Sequence, residues 1–389
     1  MKVWSTRLLV GAAAIPVIWL AGIGLVNRAS AQAVEDSTGS AGKTAGQFFK
    51  NVTTSSLKGL SVDDFLGTMG VISADLGYDC ADCHPGAGTD NVNWVIDTPK
   101  KRTARRMVEM VAAINRTNFG GTQQVTCYTC HHGHDIPVTT ITLDAVYGPP
   151  NDEHPDVISQ VAGLLSVDQI LDKYLQAAGG AQKLATLKSF IATGTSTGYE
   201  GLGGGGSFQI FAKAPDQRTV QITFKDHPER GDSTRAFNGA TGWIKSPRGL
   251  LREYAVTGGE LDGLKLEAEL SFPGQIKKLL TRMRSGNPDA IDGHDVNIVQ
   301  GTTPKGLLVT LYFDKASGLL TRMVRDTPSP IGRIPSQADY SDYRAVDGIM
   351  FPFQYKFSWL DGRDAFKLNE VKVNVPVDPA IFNKPAGAK

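Results

Sequence analysis

Two copies of one five-residue pattern constrain this chain more than any other feature. They read Cys80-Ala81-Asp82-Cys83-His84 and Cys127-Tyr128-Thr129-Cys130-His131, and together they use all four cysteines of the 389-residue sequence. Two thiols three positions apart can add to the two vinyl groups of one porphyrin, and the histidine that follows can then bind the iron. The sequence therefore predicts two haem c groups, with His84 and His131 as iron ligands.

Two other interpretations of the paired cysteines fit their spacing. Two C-x-x-C knuckles can bind structural zinc through their thiolates, and each pair can close as a disulfide in an exported protein. Neither interpretation explains why a histidine directly follows Cys83 and again Cys130. Haem attachment through Cys80 and Cys83, and through Cys127 and Cys130, is therefore the preferred interpretation.

The first residues have the order of a secretory signal peptide. Lys2 and Arg7 precede an apolar run over residues 8–26, and the small residues Ala29-Ser30-Ala31 follow. The sequence predicts a signal peptide over residues 1–33 and a periplasmic protein. The apolar run is also long enough to remain as an inner-membrane anchor if it is not cleaved.

Composition divides the rest of the chain. Residues 34–46 are small and polar and are predicted to form a flexible lead-in. Both cysteine motifs lie in residues 47–137, a predicted dihaem cytochrome c domain, and residues 138–165 form a linker that contains several prolines. Residues 166–385 form a second domain. Because 40 basic residues balance 39 acidic ones, the bulk charge favours no nucleic-acid partner.

A helix is predicted shortly before each motif, and each helix carries methionine. Ser61 is a predicted N-cap for a helix that includes Met69, and Thr98, followed by proline, begins a helix that includes Met107 and Met110. Methionine opposite histidine raises the potential of a haem and suits electron transfer. Periodicity does not choose between Met107 and Met110, and packing alone also explains a methionine in an apolar stripe.

Longer stretches accompany the two motifs. They are Leu60-Ser61-Val62, Thr68-Met69, Ala104-Arg105-Arg106-Met107-Val108-Glu109-Met110 and Val125-Thr126. Through these stretches and the motifs, residues 48–137 resemble the first two haem units of the photosynthetic reaction-centre cytochrome c subunit family. In that family a methionine on the helix before each motif is the sixth iron ligand, which implies Met69 and Met107 here. The family's subunits typically carry four haems, whereas this chain has two motifs.

The second half alternates between apolar and polar residues. Ser166 caps one amphipathic helix, and afterwards runs such as Phe353, Tyr355, Phe357 and Trp359 predict strands with one buried face. The fold class predicted for the chain is therefore multi-domain: a mainly α dihaem cytochrome c module followed by a helix and a curved antiparallel β-sheet, or half-barrel. Phrases such as 237–243, Phe-Asn-Gly-Ala-Thr-Gly-Trp, resemble LolA-like outer-membrane lipoprotein-sorting proteins, which implies a possible apolar ligand.

These patterns together predict a periplasmic dihaem cytochrome c that transfers single electrons between a redox donor and a redox acceptor. A membrane-associated complex is a candidate partner. Such a protein is an electron carrier and not an enzyme, because histidine and methionine would occupy both axial positions of each iron. Two alternatives stay open. One is a peroxidase-like haem enzyme with one open iron position. The other is an apolar-ligand or lipid-binding protein with an accessory cytochrome domain.

Overall fold

The computed structural model describes residues 42–89, 91–140, 143, 157–158, 162–197, 205–224, 232–246 and 251–384. The predicted signal peptide lies outside these residues, as does most of the predicted linker. Within the described parts, no helix has both the length and the apolar character needed to cross a membrane.

Residues 42–140 contain helices that begin where the sequence predicts. The oxygen of Ser61 accepts a hydrogen bond from the backbone N–H of Asp64 at 3.1 Å, and that of Thr98 accepts one from Lys101 at 3.2 Å. These bonds satisfy donors that a helix start leaves unpaired. The helices are α1 (Ala45–Phe48), α2 (Val62–Leu76), α3 (Cys80–Cys83), α4 (Pro99–Asn118) and α5 (Tyr128–His131).

The second half forms one open antiparallel sheet, as predicted. Its strands follow the order β6-β5-β4-β3-β2-β1-β14-β13-β12-β11-β10-β9-β7, and β8 pairs with β9. The strands are β1 (Ser189–Thr197), β2 (Gly206–Lys213), β3 (Gln217–Phe224), β4 (Ser233–Phe237), β5 (Gly242–Lys245), β6 (Glu253–Val256), β7 (Thr281–Ser285), β8 (Asp289–Ile291), β9 (His294–Thr302), β10 (Leu308–Asp314), β11 (Leu320–Ser329), β12 (Gly332–Val346), β13 (Ile349–Trp359) and β14 (Gly362–Val373).

The core of the sheet domain forms around helix α6 (Val167–Ala177). Ser166 caps this helix as predicted, and the next short helix, α7 (Ala181–Leu184), follows two glycines. Leu171 is 1% exposed, and the ring of Tyr174 lies 5.2 Å from that of Phe313. Burial of such side chains, at about 25 cal/mol per Å² of apolar surface, supplies the main driving force for this fold.

The expectation of a single helix in this half is wrong. A second long helix, α8 (Gly258–Leu270), crosses the sheet, and a short one, α9 (Ile276–Leu279), follows. Helix α8 begins with two glycines, and Thr257 makes no side-chain cap bond. Its first N–H groups are instead bound by carboxylates of α2. Asp63 accepts from Thr257 N at 2.8 Å, and Asp64 accepts from Gly259 N at 3.0 Å.

Helix α8 also carries two glutamates that pair with arginines of the sheet. Arg325 is 1% exposed, and its Nη2 lies 2.7 Å from Oε2 of Glu260. Arg235 pairs with the same glutamate, and Glu267 lies 3.3 Å from Arg235 and 3.4 Å from Arg218. Burial opposes the ionisation of Glu260, but the two arginines outweigh it and lower its pKa to about 2. The buried charges are therefore compensated within the cluster.

Helix α2 approaches the sheet closely at two glycines, and at Gly67 the approach requires the absence of a side chain. A Cβ built at Gly67 would lie 2.9 Å from Cδ1 of Ile334, and one at Gly70 would lie 3.4 Å from Cβ of Leu360. Val71 then packs with Ile331, which is fully buried, in a cluster that also includes Leu57 and Val108. The helical part of the chain and the sheet are therefore in direct apolar contact.

We expect the contact between α2 and α8 to depend on pH. Burial raises the pKa of Asp63 to about 7, although the hydrogen bonds from Thr257 act in the opposite direction. Because Asp63 binds a proton more tightly in the folded chain, its stabilising contribution is complete below about pH 4 and is lost as pH rises through about 7. The expected loss in the free energy of unfolding is on the order of 1–4 kcal/mol.

Urea unfolding at a series of pH values between 4 and 8 measures this loss. The variant Asp63→Asn keeps an oxygen acceptor for Thr257 but cannot ionise, so its free energy of unfolding should change less over the same range. If the free energy of unfolding changed with pH by the same amount in the wild type and in the variant, Asp63 would not be the group responsible.

Candidate haem-binding sites

The first cysteine motif lies beside a cavity of about 320 Å³. Asp79 caps α3, where it accepts from the backbone of Asp82 at 3.1 Å, and so fixes the turn that carries Cys80 and Cys83. The cavity is lined by both of these cysteines and by His84, and apolar residues of α2 and α4 form much of the remaining wall. These include Phe65, Leu66, Ile72 and Val108.

Met69 lines this same cavity. It lies on α2, whereas His84 directly follows α3. The structure thus brings a thioether, an imidazole and two thiols from separate elements to one apolar enclosure. That donor set is the one expected for a haem c with histidine and methionine as axial ligands.

The protonation of His84 fits iron binding. Burial, with a smaller effect of the Lys101 charge, lowers the pKa of His84 to about 4, so the ring is neutral at pH 7. Its Nδ1 is buried and has no hydrogen-bond partner among the described residues. A neutral imidazole with an unsatisfied nitrogen beside a pair of cysteines is suited to hold a metal.

A short segment supports His84 from one side. The ring of Trp94 lies 4.9 Å from that of His84, measured between centroids. The ammonium of Lys101, which is 8% exposed, donates to the carbonyls of Trp94 at 2.9 Å and Ile96 at 3.0 Å. The side-chain amide of Asn51 also donates to the carbonyl of Trp94, at 3.1 Å. Lys101 therefore positions Trp94, a role that the sequence motifs did not reveal.

The other basic residues at the start of α4 have acidic partners. Lys100 lies 2.6 Å from Asp82, and Arg105 lies 2.5 Å from Asp97, which also contacts Arg102 at 3.4 Å. These carboxylates offset positive charge that the N-terminal end of a helix would otherwise disfavour.

In the second motif the histidine is held by a hydrogen bond to a backbone carbonyl. Nδ1 of His131 lies 2.8 Å from the carbonyl oxygen of His134, so Nδ1 carries the proton and donates it to this oxygen. The opposite nitrogen, Nε2, is then left with a lone pair. A backbone carbonyl that fixes the tautomer in this way is usual for metal-binding histidines.

Helix α4 holds the segment before the second motif. Asn115 is buried, and its side chain donates to the carbonyl of Val125 at 2.7 Å and accepts from Val125 N at 2.9 Å. The backbone of Cys127 donates to Ile331 of the sheet domain at 3.3 Å, and Cys127 packs against the cluster that contains Val108. Both motifs are thus fixed by contacts outside their own helices.

Two methionines on α4 differ in exposure. Met107 is half-buried and precedes Val108, whereas Met110 is 44% exposed. Exposure therefore separates two residues that periodicity left equivalent. The association of Met107 with His131 remains a prediction.

The four cysteines form no disulfide with one another. Burial raises the pKa of the thiols of Cys80 and Cys83, and that of Cys127 to about 11. These three thiols are therefore protonated near neutral pH.

The helical part is similar to a family of photosynthetic cytochromes. A model of the family described as "Photosynthetic reaction centre cytochrome C subunit" matches residues 24–169, which confirms the predicted resemblance. The photosynthetic reaction center cytochrome c subunit of Thermochromatium tepidum is 37% identical over 105 residues, and that of Rubrivivax gelatinosus is 32% identical over 126. These alignments cover 25% and 31% of this chain, and 24% and 31% of the respective relatives. The chain thus spans less than a third of each relative's length.

Solved structures similar to the sheet domain include a LolA superfamily protein from Nitrosomonas europaea. It is 13% identical, with a TM-score of 0.39, and the match covers 57% of this chain and 99% of that protein. A DUF1329 family protein from Desulfovibrio piger matches with 14% identity and a TM-score of 0.39, over 56% of this chain and 97% of that protein.

Proposed function

We propose that this chain is a periplasmic c-type cytochrome that carries single electrons through two covalently attached haems. The observation that best supports the proposal is the shared cavity of Cys80, Cys83, His84 and Met69. The similarity to reaction-centre cytochrome c subunits over residues 24–169 supports the same chemistry. The donor and the acceptor would be redox proteins, and the acceptor or donor could belong to a membrane-associated complex.

Each residue of the first site has a separate task in this proposal. Cys80 and Cys83 would hold the porphyrin through thioether bonds, and His84 and Met69 would be the ligands of its iron. A bound haem supplies an iron that changes reversibly by one electron. Trp94 packs beside His84 and would hold that ligand in place. Much of the wall around the site is apolar.

The second site would use Cys127 and Cys130 for attachment and His131 and Met107 as ligands. The fixed tautomer of His131 leaves Nε2 free to bind iron. With a histidine and a methionine as ligands at each site, a substrate would have no open iron position. The chain would accordingly act as an electron carrier, with no catalytic residue of its own.

Methionine ligation can be tested by optical and electron paramagnetic resonance spectra of the matured protein. Met69→Ala and Met107→Ala should each remove the low-spin methionine signature from one of the two haems, roughly half of the total signal. Met110→Ala, on the same helix and one turn away, is the matched control and should leave the spectrum unchanged.

An unchanged spectrum in both Met69→Ala and Met107→Ala would contradict the proposed ligation. A wild-type spectrum that already contains a high-spin, five-coordinate haem would instead favour the haem-enzyme alternative.

A second function is favoured by a separate cavity of about 380 Å³ between α2 and the sheet. One wall is aromatic and includes Tyr355, Phe357 and Trp359, whereas Arg235 and Glu260 lie at another. We infer that this cavity binds an apolar or amphipathic molecule, since aromatic and aliphatic side chains line it together with a cluster of charged groups. Apolar surface combined with polar groups that fix orientation is usual for ligand sites.

Organic extraction of protein purified from its native cells, followed by mass spectrometry, tests this second function. Val220 lines the cavity, so Val220→Trp should abolish a co-purified apolar molecule by filling the space. Thr223→Trp, at an exposed position of the same strand, should retain it. If neither the wild type nor Thr223→Trp carried an apolar molecule, this second function would be refuted.

A further inference from the structure

One wall of the first haem cavity comes from the sheet domain. Asp361 lines the cavity with Cys80, His84 and Met69, and the other lining residues lie between Phe49 and Val108. Asp361 lies in the two-residue turn between β13 and β14, where Trp359 pairs with Gly362. A residue more than 250 positions from the first motif therefore belongs to the same enclosure.

The turn is fixed against the helix that carries Met69. Leu360 packs against the cluster of Leu57, Val71, Val108 and Ile331. A Cβ built at Gly70, the residue after Met69, would lie 3.8 Å from Oδ1 of Asp361. The turn therefore lies within van der Waals distance of α2 at the residue next to Met69. Packing of Leu360 thus brings Asp361 to the edge of the cavity.

The other charges at this cavity have local partners. Arg105 is paired with Asp97, Lys101 donates to backbone carbonyls, and Asp79 accepts the cap bond of α3. No salt bridge among the described residues involves Asp361, which is exposed on its other side. Burial is the main cause of the raised pKa of the Cys80 thiol, and Asp361 is the next cause, which agrees with a carboxylate close to the attachment site.

We propose that Asp361 is a residue of the first haem site, supplied by the sheet domain, and that its charge selectively lowers the reduction potential of that site. The inference rests on the proposed function. Oxidation adds one positive charge at the iron, and a nearby carboxylate stabilises that charge by Coulomb attraction. Local charge and solvent exposure are among the means by which a protein sets haem potentials. The sheet domain would thereby give the two haem sites different reduction potentials.

Spectroelectrochemical titration of the matured full chain tests this assignment. Asp361→Asn keeps the shape of the side chain and removes its charge, so one midpoint potential should shift upward while the other stays unchanged. Asp361→Lys should shift the same midpoint further. Asp292→Asn removes an equal charge from an exposed turn between β8 and β9 and should shift neither midpoint.

Ionic strength separates an electrostatic role from a structural one. Because Asp361 is partly in contact with solvent, its effect should diminish between low salt and about 1 M salt, where the Debye length is about 3 Å. Unchanged midpoints in both Asp361 variants, or a shift that does not depend on salt, would overturn the inference. A wild-type protein without bound haem would instead refute the proposed function, so the two failures are distinguishable.

Discussion

Helix α2 packs closely against the sheet at Gly67, where a side chain would collide with Ile334, and it lies beside Leu360 at Gly70. Other positions of the same helix, Phe65, Met69 and Ile72, line the cavity beside the first cysteine motif. Leu66 lines both this cavity and the one between α2 and the sheet. The position of Met69 relative to His84 therefore depends on how closely α2 can approach the second domain.

Hydrogen bonds and ion pairs support the same contact. Asp63 and Asp64 begin α2, and they bind the first N–H groups of α8 across 194 and 195 positions of sequence. Farther along α8, Glu260 and Glu267 pair with arginines of three strands. Helix α8 is consequently held at its start by the helical part of the chain and along its length by the sheet. Such long-range contacts couple the two halves.

Local chemistry made much of this fold predictable. The caps at Ser61, Thr98 and Ser166 were correctly located because a cap needs only residues within one turn. The alternating run that ends at Trp359 likewise identified β13. Helix α8 was missed because its sequence begins with two glycines and its cap comes from α2. The position of Asp361 at the cavity and the role of Lys101 were also not predicted from the sequence. Both depend on neighbours that only folding brings together.

Covalent attachment of two haems is the central claim, and the intact mass of the matured polypeptide tests it most directly. The measurement requires protein from cells able to mature cytochromes c, analysed under denaturing conditions that remove anything not covalently bound. The account predicts a mass that exceeds that of the processed chain by two haem groups, with haem stain at the same position on a gel. A mass equal to that of the bare chain, or a chain that retains zinc on its thiols, would contradict it.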